Sequence, residues 1–277
     1  MKHLNLFFPE WQGYAESNVV KNGAAVVKNH LSNLEFESIE VPDSEELPLQ
    51  NNIIGYQANL RNLSASRSLL EKHQPDSTFM IGGTCAAEIG PVSYLNNRYQ
   101  GDVAVLWFDA HGDLNTPESS PSKHFHGMPL RTLLGESDEQ IIGETFSRLN
   151  PNQVFVLGGR DIDEPEQAYI KSSGVSLYSP AGMENIDGLI SDIKTRGFHN
   201  LYIHIDLDVL EPKEFPHLLL PITDGLSISL LMDVIKSLVN HFNVVGSSIV
   251  EYVPKGDGDL KTLDQIVAIL GIGDKSS

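Results

Sequence analysis

Val103-Ala104-Val105-Leu106-Trp107-Phe108-Asp109-Ala110-His111-Gly112-Asp113 carries an unbroken apolar run directly into two carboxylates and an imidazole at alternate positions. An apolar run without polar alternation reads as a strand covered on both faces, the signature of a central strand in a parallel sheet. Alternate residues of an extended chain share a face, so Asp109, His111 and Asp113 would project together as the strand ends. A second stretch repeats the arrangement: Leu201-Tyr202-Ile203-His204-Ile205 runs into Asp206-Leu207-Asp208, which again sets two carboxylates on one face.

Outward from these two strands, short Val-, Ile- and Phe-rich runs alternate with segments of helical period. Strands are expected near 3–8, 38–42, 77–82, 103–109, 153–158, 175–178, 201–207 and 244–250, and helices over 56–73, 86–98, 164–172, 182–196, 227–241 and 259–269. This alternation predicts a three-layer α-β-α fold, an α/β domain with a mostly parallel central sheet of about eight strands. No linker composition and no internal repeat divides the chain, so residues 1–277 read as a single domain. The longest irregular piece, Thr116 to Pro129, follows a central strand, where ligands of open parallel sheets gather.

Composition narrows the function. Thirty-seven acidic against 19 basic residues give a formal charge of -18, which argues against a nucleic-acid partner and suits cationic ligands. Only Cys85 is a cysteine, so the fold depends on its core and not on an internal disulfide. No apolar stretch approaches the ~20 residues of a membrane helix, and the opening Met1-Lys2-His3-Leu4-Asn5-Leu6-Phe7-Phe8-Pro9 is broken too soon for a secretory signal. A cytoplasmic protein with no membrane partner is expected.

Read alone, either Asp-x-Asp pair suits a turn or a solvated strand end. Both together, closing strands of buried character, bring like charges close enough to repel strongly unless a cation neutralises them. Oxygen-rich donors with an imidazole suit divalent ions such as Mn²⁺, and four carboxylates suffice for two ions.

At this point the sequence resembles the ureohydrolase family of arginases and agmatinases over most of its length. The family's Asp-Ala-His-x-Asp matches residues 109–113, its Asp-x-Asp matches 206–208, and its His-Gly-Met-Pro matches His126-Gly127-Met128-Pro129, in the family's order. The resemblance implies two Mn²⁺ ions with Asp109 and Asp206 bridging, Asp113 on the first ion, and His111 and Asp208 on the second. It also implies that a water shared by the ions is the nucleophile, with His126 as proton donor to the leaving amine; His204, inside its strand, reads as a packed or supporting residue and not a ligand. Where the family has Gly-Gly-Asp-His, this chain reads Gly82-Gly83-Thr84-Cys85. Cys85 is therefore expected as the ligand of the first ion, where a softer thiolate would favour Zn²⁺, Fe²⁺ or Co²⁺ over Mn²⁺.

The same resemblance assigns substrate contacts. Asn115, Ser122 and His124 fall where arginases hold the α-carboxylate of arginine, with His124 replacing the family's Asn. Asp163 and Glu166 fall where the α-ammonium is held, although acidic residues at this point also suit a helix N-terminus. Glu251 matches the glutamate that pairs with the guanidinium, Ser248 stands where the family often has Asp, and His217-Leu218-Leu219-Leu220-Pro221 replaces smaller residues of the pocket wall. The implied activity is a binuclear-metal hydrolase that cleaves the guanidino C–N bond of arginine or N-hydroxyarginine to ornithine and urea or a substituted urea. An agmatinase, a formimidoyl-amino-acid hydrolase or a non-catalytic metal- or ligand-binding descendant are the alternatives, and a homo-oligomer is left open.

Overall fold

The computed structural model describes residues 2–256 and 260–273. The strands are β1 (His3–Phe8), β2 (Glu37–Ser38), β3 (Leu49–Gln50), β4 (Ile53–Ile54), β5 (Ser77–Gly82), β6 (Val103–Phe108), β7 (Val154–Leu157), β8 (Ser176–Tyr178), β9 (Asn200–Asp206) and β10 (Asn243–Val250). The helices are α1 (Val19–His30), α2 (Tyr56–His73), α3 (Ile89–Arg98), α4 (Pro129–Leu133), α5 (Glu139–Gly143), α6 (Glu164–Ser173), α7 (Ile186–Thr195), α8 (Ile228–His241) and α9 (Lys261–Ile269). Eight strands form one sheet in the order β2-β1-β5-β10-β9-β6-β7-β8, every neighbouring pair parallel, while β3 and β4 make a separate two-stranded hairpin.

Why the apolar runs are unbroken follows from the two cores. Met80, Val105, Trp107, Val156 and Tyr202 pack on one face of the sheet, whereas their neighbours Phe79, Ile81, Leu106, Phe108, Phe155 and Ile203 pack on the other. Each central strand thus buries both of its faces, and each large apolar side chain so buried contributes roughly 1.5–3 kcal/mol. That burial fixes where β5, β6, β9 and β10 end, and so where the polar residues after them emerge.

The departures from expectation are local. The expected strand over 38–42 is ladder-paired only at Glu37–Ser38, although Ile39 and Val41 remain buried. This is the sheet edge, and beyond Ser38 the backbone makes one more bond, from the Ile39 amide to the Phe7 carbonyl, before Pro42. Helix α1 is not legible in the sequence: it has Gly23 at its centre, two Val-Val pairs and no side-chain cap. Gly23 is required there because a Cβ would lie 1.6 Å from the carbonyl oxygen of Tyr252. The expected helix over 182–196 starts as a 3-10 turn at Ala181–Glu184, and that over 86–98 as one at Cys85–Glu88. Helix α9 begins at Lys261, and Asp259, the first residue of the expected helix, lies outside the described residues.

Candidate metal centre

The central strands β5, β10, β9 and β6 are adjacent, and the residues just past their carboxyl ends converge. Cys85 follows β5, Glu251 follows β10, Asp206 closes β9 and leads to Asp208, and Asp109, His111 and Asp113 follow β6. One cavity is lined by Cys85, Asp109, His111, Asp113, Asp206 and Glu251 at its floor. Asn115, Ser122, His126, Asp163, Glu166 and Leu220 complete its wall.

Backbone amides set the carboxylates. The His111 amide donates to Asp109 Oδ1 at 2.7 Å, the Asp208 amide to Asp206 Oδ1 at 2.8 Å, and the Ala110 amide to Asp208 Oδ1 at 3.0 Å. Trp107, whose ring is buried beneath the floor, donates its indole N–H to Asp109 Oδ2 at 3.1 Å and to Asp113 Oδ2 at 3.2 Å. His111 Nδ1 lies 2.9 Å from Asp208 Oδ2 and 3.3 Å from Asp109 Oδ1. Across the floor, the Cys85 thiol donates to Asp206 Oδ2 at 3.0 Å and lies 3.8 Å from Asp109 Oδ2.

The chain is bent into this arrangement. Asp113 and Glu251 both adopt left-handed backbone conformations, with φ of 53° and 59°. Non-glycine residues held there carry strain that the surrounding structure must sustain, a feature that concentrates at functional sites. Gly83 permits the close approach of β5 to the segment after β1, since a Cβ would stand 1.8 Å from the carbonyl oxygen of Glu10.

Electrostatically the cluster demands positive charge. Burial, then the repulsion of neighbouring acids, holds the Asp206 and Asp113 carboxyls well above the usual carboxylate range and raises Asp109 as well. Burial and the same acids push the Cys85 thiol far up. Burial draws the His111 imidazole down, but the carboxylates of Asp208 and Asp109 outweigh it and hold its proton strongly. The donors are those that bind divalent ions: Asp109, His111 and Asp208 present ligand atoms within 4.8 Å of one another, as do Cys85, Asp206 and Glu251. A cation bound there would reverse the logic of each of these groups.

The wall holds the residues expected to meet substrate. His126 Nδ1 lies 2.9 Å from Glu251 Oε1; burial pulls the imidazole down, but the carboxylate more than offsets this and its pKa is raised. Asp163 and Glu166 are the cap residues of α6, forming a capping box in which Glu166 Oε2 accepts from the Asp163 amide. Glu166 Oε1 accepts from the Leu114 amide at 2.8 Å, and burial pushes the carboxyl up to about 7. Asp163 is exposed and accepts from the Asn115 side-chain amide at 2.8 Å. Ser122 is exposed on the rim. His124 stands apart from the cavity lining: its ring packs edge-on to Tyr14, with centroids 5.9 Å apart, and its Nε2 is 4.0 Å from Glu16. Asp208 also lies behind the cavity surface, reaching it through His111.

Sequence reasoning passed over several residues that the fold brings in. Glu10, after β1, accepts from the Gly13 amide and the Thr84 hydroxyl, is fully buried behind His126 and Glu251, and is pushed by burial to about 7. Its signal was an acid inside Phe7-Phe8-Pro9-Glu10-Trp11, an apolar context that an exposed carboxylate would not need. Asp161 lines the rim, 3.7 Å from His111 Nε2.

A parallel three-layer α/β fold with strand-end acids gathered around a cation-demanding cavity defines a class of metal-dependent hydrolases. The arginase family profile matches residues 16–271. An arginase of Staphylococcus aureus (strain COL) is 30% identical over 242 residues, covering 84% of this chain and 78% of that one. An arginase of Bacillus subtilis is 28% identical over 277 residues, covering 87% and 92%. The arginase of Entamoeba histolytica, solved with L-ornithine, superposes with a TM-score of 0.87 at 21% identity over 98% of both chains. The chain belongs to the arginase family, and it is a metal-dependent amidinohydrolase by that membership. The fold is shared more widely, since a formimidoylglutamase of Bacillus subtilis superposes with a TM-score of 0.73 at 17% identity, covering 100% of this chain and 89% of that one.

Proposed function

We propose that the protein is a binuclear-metal hydrolase of the guanidino C–N bond of an arginine-like amino acid, releasing ornithine and urea or a substituted urea. The observation that carries this reading is the meeting, in one cavity, of the strand-end donors Cys85, Asp109, His111, Asp113 and Asp206 with the pair His126 and Glu251. Asp109, Asp206, Asp113, Cys85, His111 and Asp208 would hold the ions, Mn²⁺ at the oxygen-rich position and Zn²⁺, Fe²⁺ or Co²⁺ where Cys85 takes part. Two such ions would lower the pKa of a water held between them so that it can act as nucleophile near neutral pH.

The chain's own residues supply the rest. Glu251 keeps lone pairs beyond its bond to His126, enough to accept from a planar guanidinium and turn its carbon toward the floor. Glu251 stabilises the His126 imidazolium against the pull of burial and raises its hold on a proton, which equips it to protonate the departing amine. Asp113, fixed by the Trp107 indole at 3.2 Å, lines the same cavity as His126 and would accept a proton from a nucleophilic water bound there. On the rim, exposed Asp163 faces an α-ammonium while Asn115 and Ser122 offer donors to an α-carboxylate.

Ornithine release from a panel of arginine, N-hydroxyarginine, agmatine and formimidoylglutamate tests the reading, with putrescine and glutamate followed for the last two. Arginine or N-hydroxyarginine should give the highest kcat/KM. Agmatine as the best substrate would remove the amino-acid head from the account, and no turnover of any member with two ions bound would remove the enzyme.

A further inference from the structure

His204 lies inside β9, fully buried, with its ring stacked on Trp107 at a centroid distance of 3.6 Å and an interplanar angle of 23°. A histidine packed only for volume would not need both nitrogens aimed at chemistry, yet both are. Its Nε2 is 3.6 Å from the Cys85 sulfur, and Cys85, Asp109 and His204 present ligand atoms within 4.8 Å of one another. Its Nδ1 is 3.3 Å from Glu88 Oε1 and 3.4 Å from the Ser248 hydroxyl.

Glu88 supplies the independent observation. Its carboxylate is fully buried, and neither oxygen has a hydrogen-bond partner among the described residues. Beside it stands Tyr202, whose phenol is driven well above its ordinary range, first by burial and then by Glu88 itself. An uncompensated carboxylate in such surroundings costs several kcal/mol in general, so it is retained where it meets positive charge. An imidazole bound to a cation through Nε2 presents a polarised Nδ1–H toward the carboxylate it faces. A carboxylate facing one imidazole nitrogen while the other faces a metal is the common way of fixing the tautomer of a histidine ligand.

We propose that His204 Nε2 is a ligand of the ion at the Cys85 position, alongside Cys85 and Asp109, and that Glu88 is its positioning residue through Nδ1. This rests on the reading of the cavity as a metal centre and assigns the two ions different tastes. The position built on Cys85 and His204 offers one sulfur and one imidazole, a donor set suited to Zn²⁺ or Co²⁺. The position built on Asp109, His111 and Asp208 offers mainly oxygen and suits Mn²⁺.

The test is titration of the metal-free protein with Zn²⁺ and Co²⁺, reading stoichiometry, affinity and the sulfur-to-cobalt charge-transfer band, none of which requires turnover. His204→Asn keeps a side-chain amide where Nδ1 faces Glu88 but removes Nε2. It should weaken the Cys85-position ion by more than about 100-fold and alter the charge-transfer band, leaving the other ion in place. Glu88→Gln leaves the stacked imidazole intact and should weaken the same ion by roughly 10–100-fold with the band retained, so it decides the matter if His204→Asn fails to fold. Wild-type affinity and an unchanged band in His204→Asn, or wild-type affinity in Glu88→Gln where His204→Asn does not fold, would reduce His204 to a packed residue. A wild-type protein that binds no ion at all would instead overturn the metal-centre reading beneath it.

Discussion

The two halves of the cavity floor are built on different principles. On the His111 side, Asp109, Asp206 and Asp208 each receive a backbone amide, and the imidazole bridges Asp109 and Asp208 within 3.3 Å. On the Cys85 side no backbone amide meets the sulfur; its partners are side chains, Asp206 at 3.0 Å, His204 at 3.6 Å and Asp109 at 3.8 Å. The first half is fixed wherever the strands end, because the donors belong to the backbone. The second depends on which side chains happen to be present, so its chemistry can change by substitution while the fold does not. That difference lets the side chains of the second half vary while the chain still superposes on an arginase with a TM-score of 0.87.

The largest effect should come from a change that strikes both halves. Asp206 accepts from the Cys85 thiol and from the Asp208 amide, so Asp206→Asn should cost turnover on the order of 10³-fold or more and lower the bound metal, as measured by ornithine release and elemental analysis. Retained activity would show that the halves do not share this residue.

His126→Asn leaves both halves intact and removes only the proposed proton donor. A loss of about 10²-fold in kcat with little change in KM is expected, together with loss of the pH-rate limb that falls as pH rises through the elevated His126 pKa. An unchanged pH profile would place proton delivery elsewhere.

Trp107→Phe tests the indole that ties the halves together beneath the floor. It removes the indole donor from Asp113 and from Asp109 Oδ2, while Asp109 Oδ1 keeps the His111 amide, and should lower stability by about 1–3 kcal/mol, measured by denaturant unfolding.

The smallest expected effect is a pH trend in the metal-free protein. Asp109, Asp113 and Asp206 have folded-state pKa values above their ordinary ones, as does Glu166 at about 7, so the folded state binds more protons than the unfolded chain. Stability contributed by these groups is complete below the ordinary carboxylate pKa and is lost as pH rises toward the folded-state values. The metal-free melting temperature should therefore fall from about pH 4.5 toward pH 7 through these groups. Added Mn²⁺ should raise the melting temperature more at pH 7 than at pH 5. A stabilisation by metal that is equal at both values would contradict the account of the carboxylates.

Much of the fold and of one half of the site was legible in the sequence, for reasons visible in the structure. The unbroken run Val103–Phe108 is buried on both faces, and a run of that kind has few other places to go. The acids after it keep their alternation because the strand ends beneath them. Helix α1 was hidden because packing holds it, with Val20, Ala24 and Val27 buried in the cores and Gly23 fitted against Tyr252, which local propensity does not announce. Asp163 and Glu166 were read both as ligands and as helix-capping acids, and they are cap residues that also line the cavity. Glu88 escaped notice because a lone glutamate carries no pattern, and Glu10 because its apolar neighbours were its only signal. Their meaning lies in burial, which only the folded chain supplies. Among the described residues no helix is long and apolar enough to cross a membrane, in line with the absence of such a run from the sequence.

The central claim is that the strand-end acids meet around a pair of cations. Diffraction from crystals equilibrated with manganese and zinc, recorded at the absorption edge of each metal, measures it directly. Two anomalous peaks are predicted, one among Asp109, His111 and Asp208 and the other beside Cys85. A cluster free of anomalous density, with Asp109 and Asp206 turned away from one another, would contradict it.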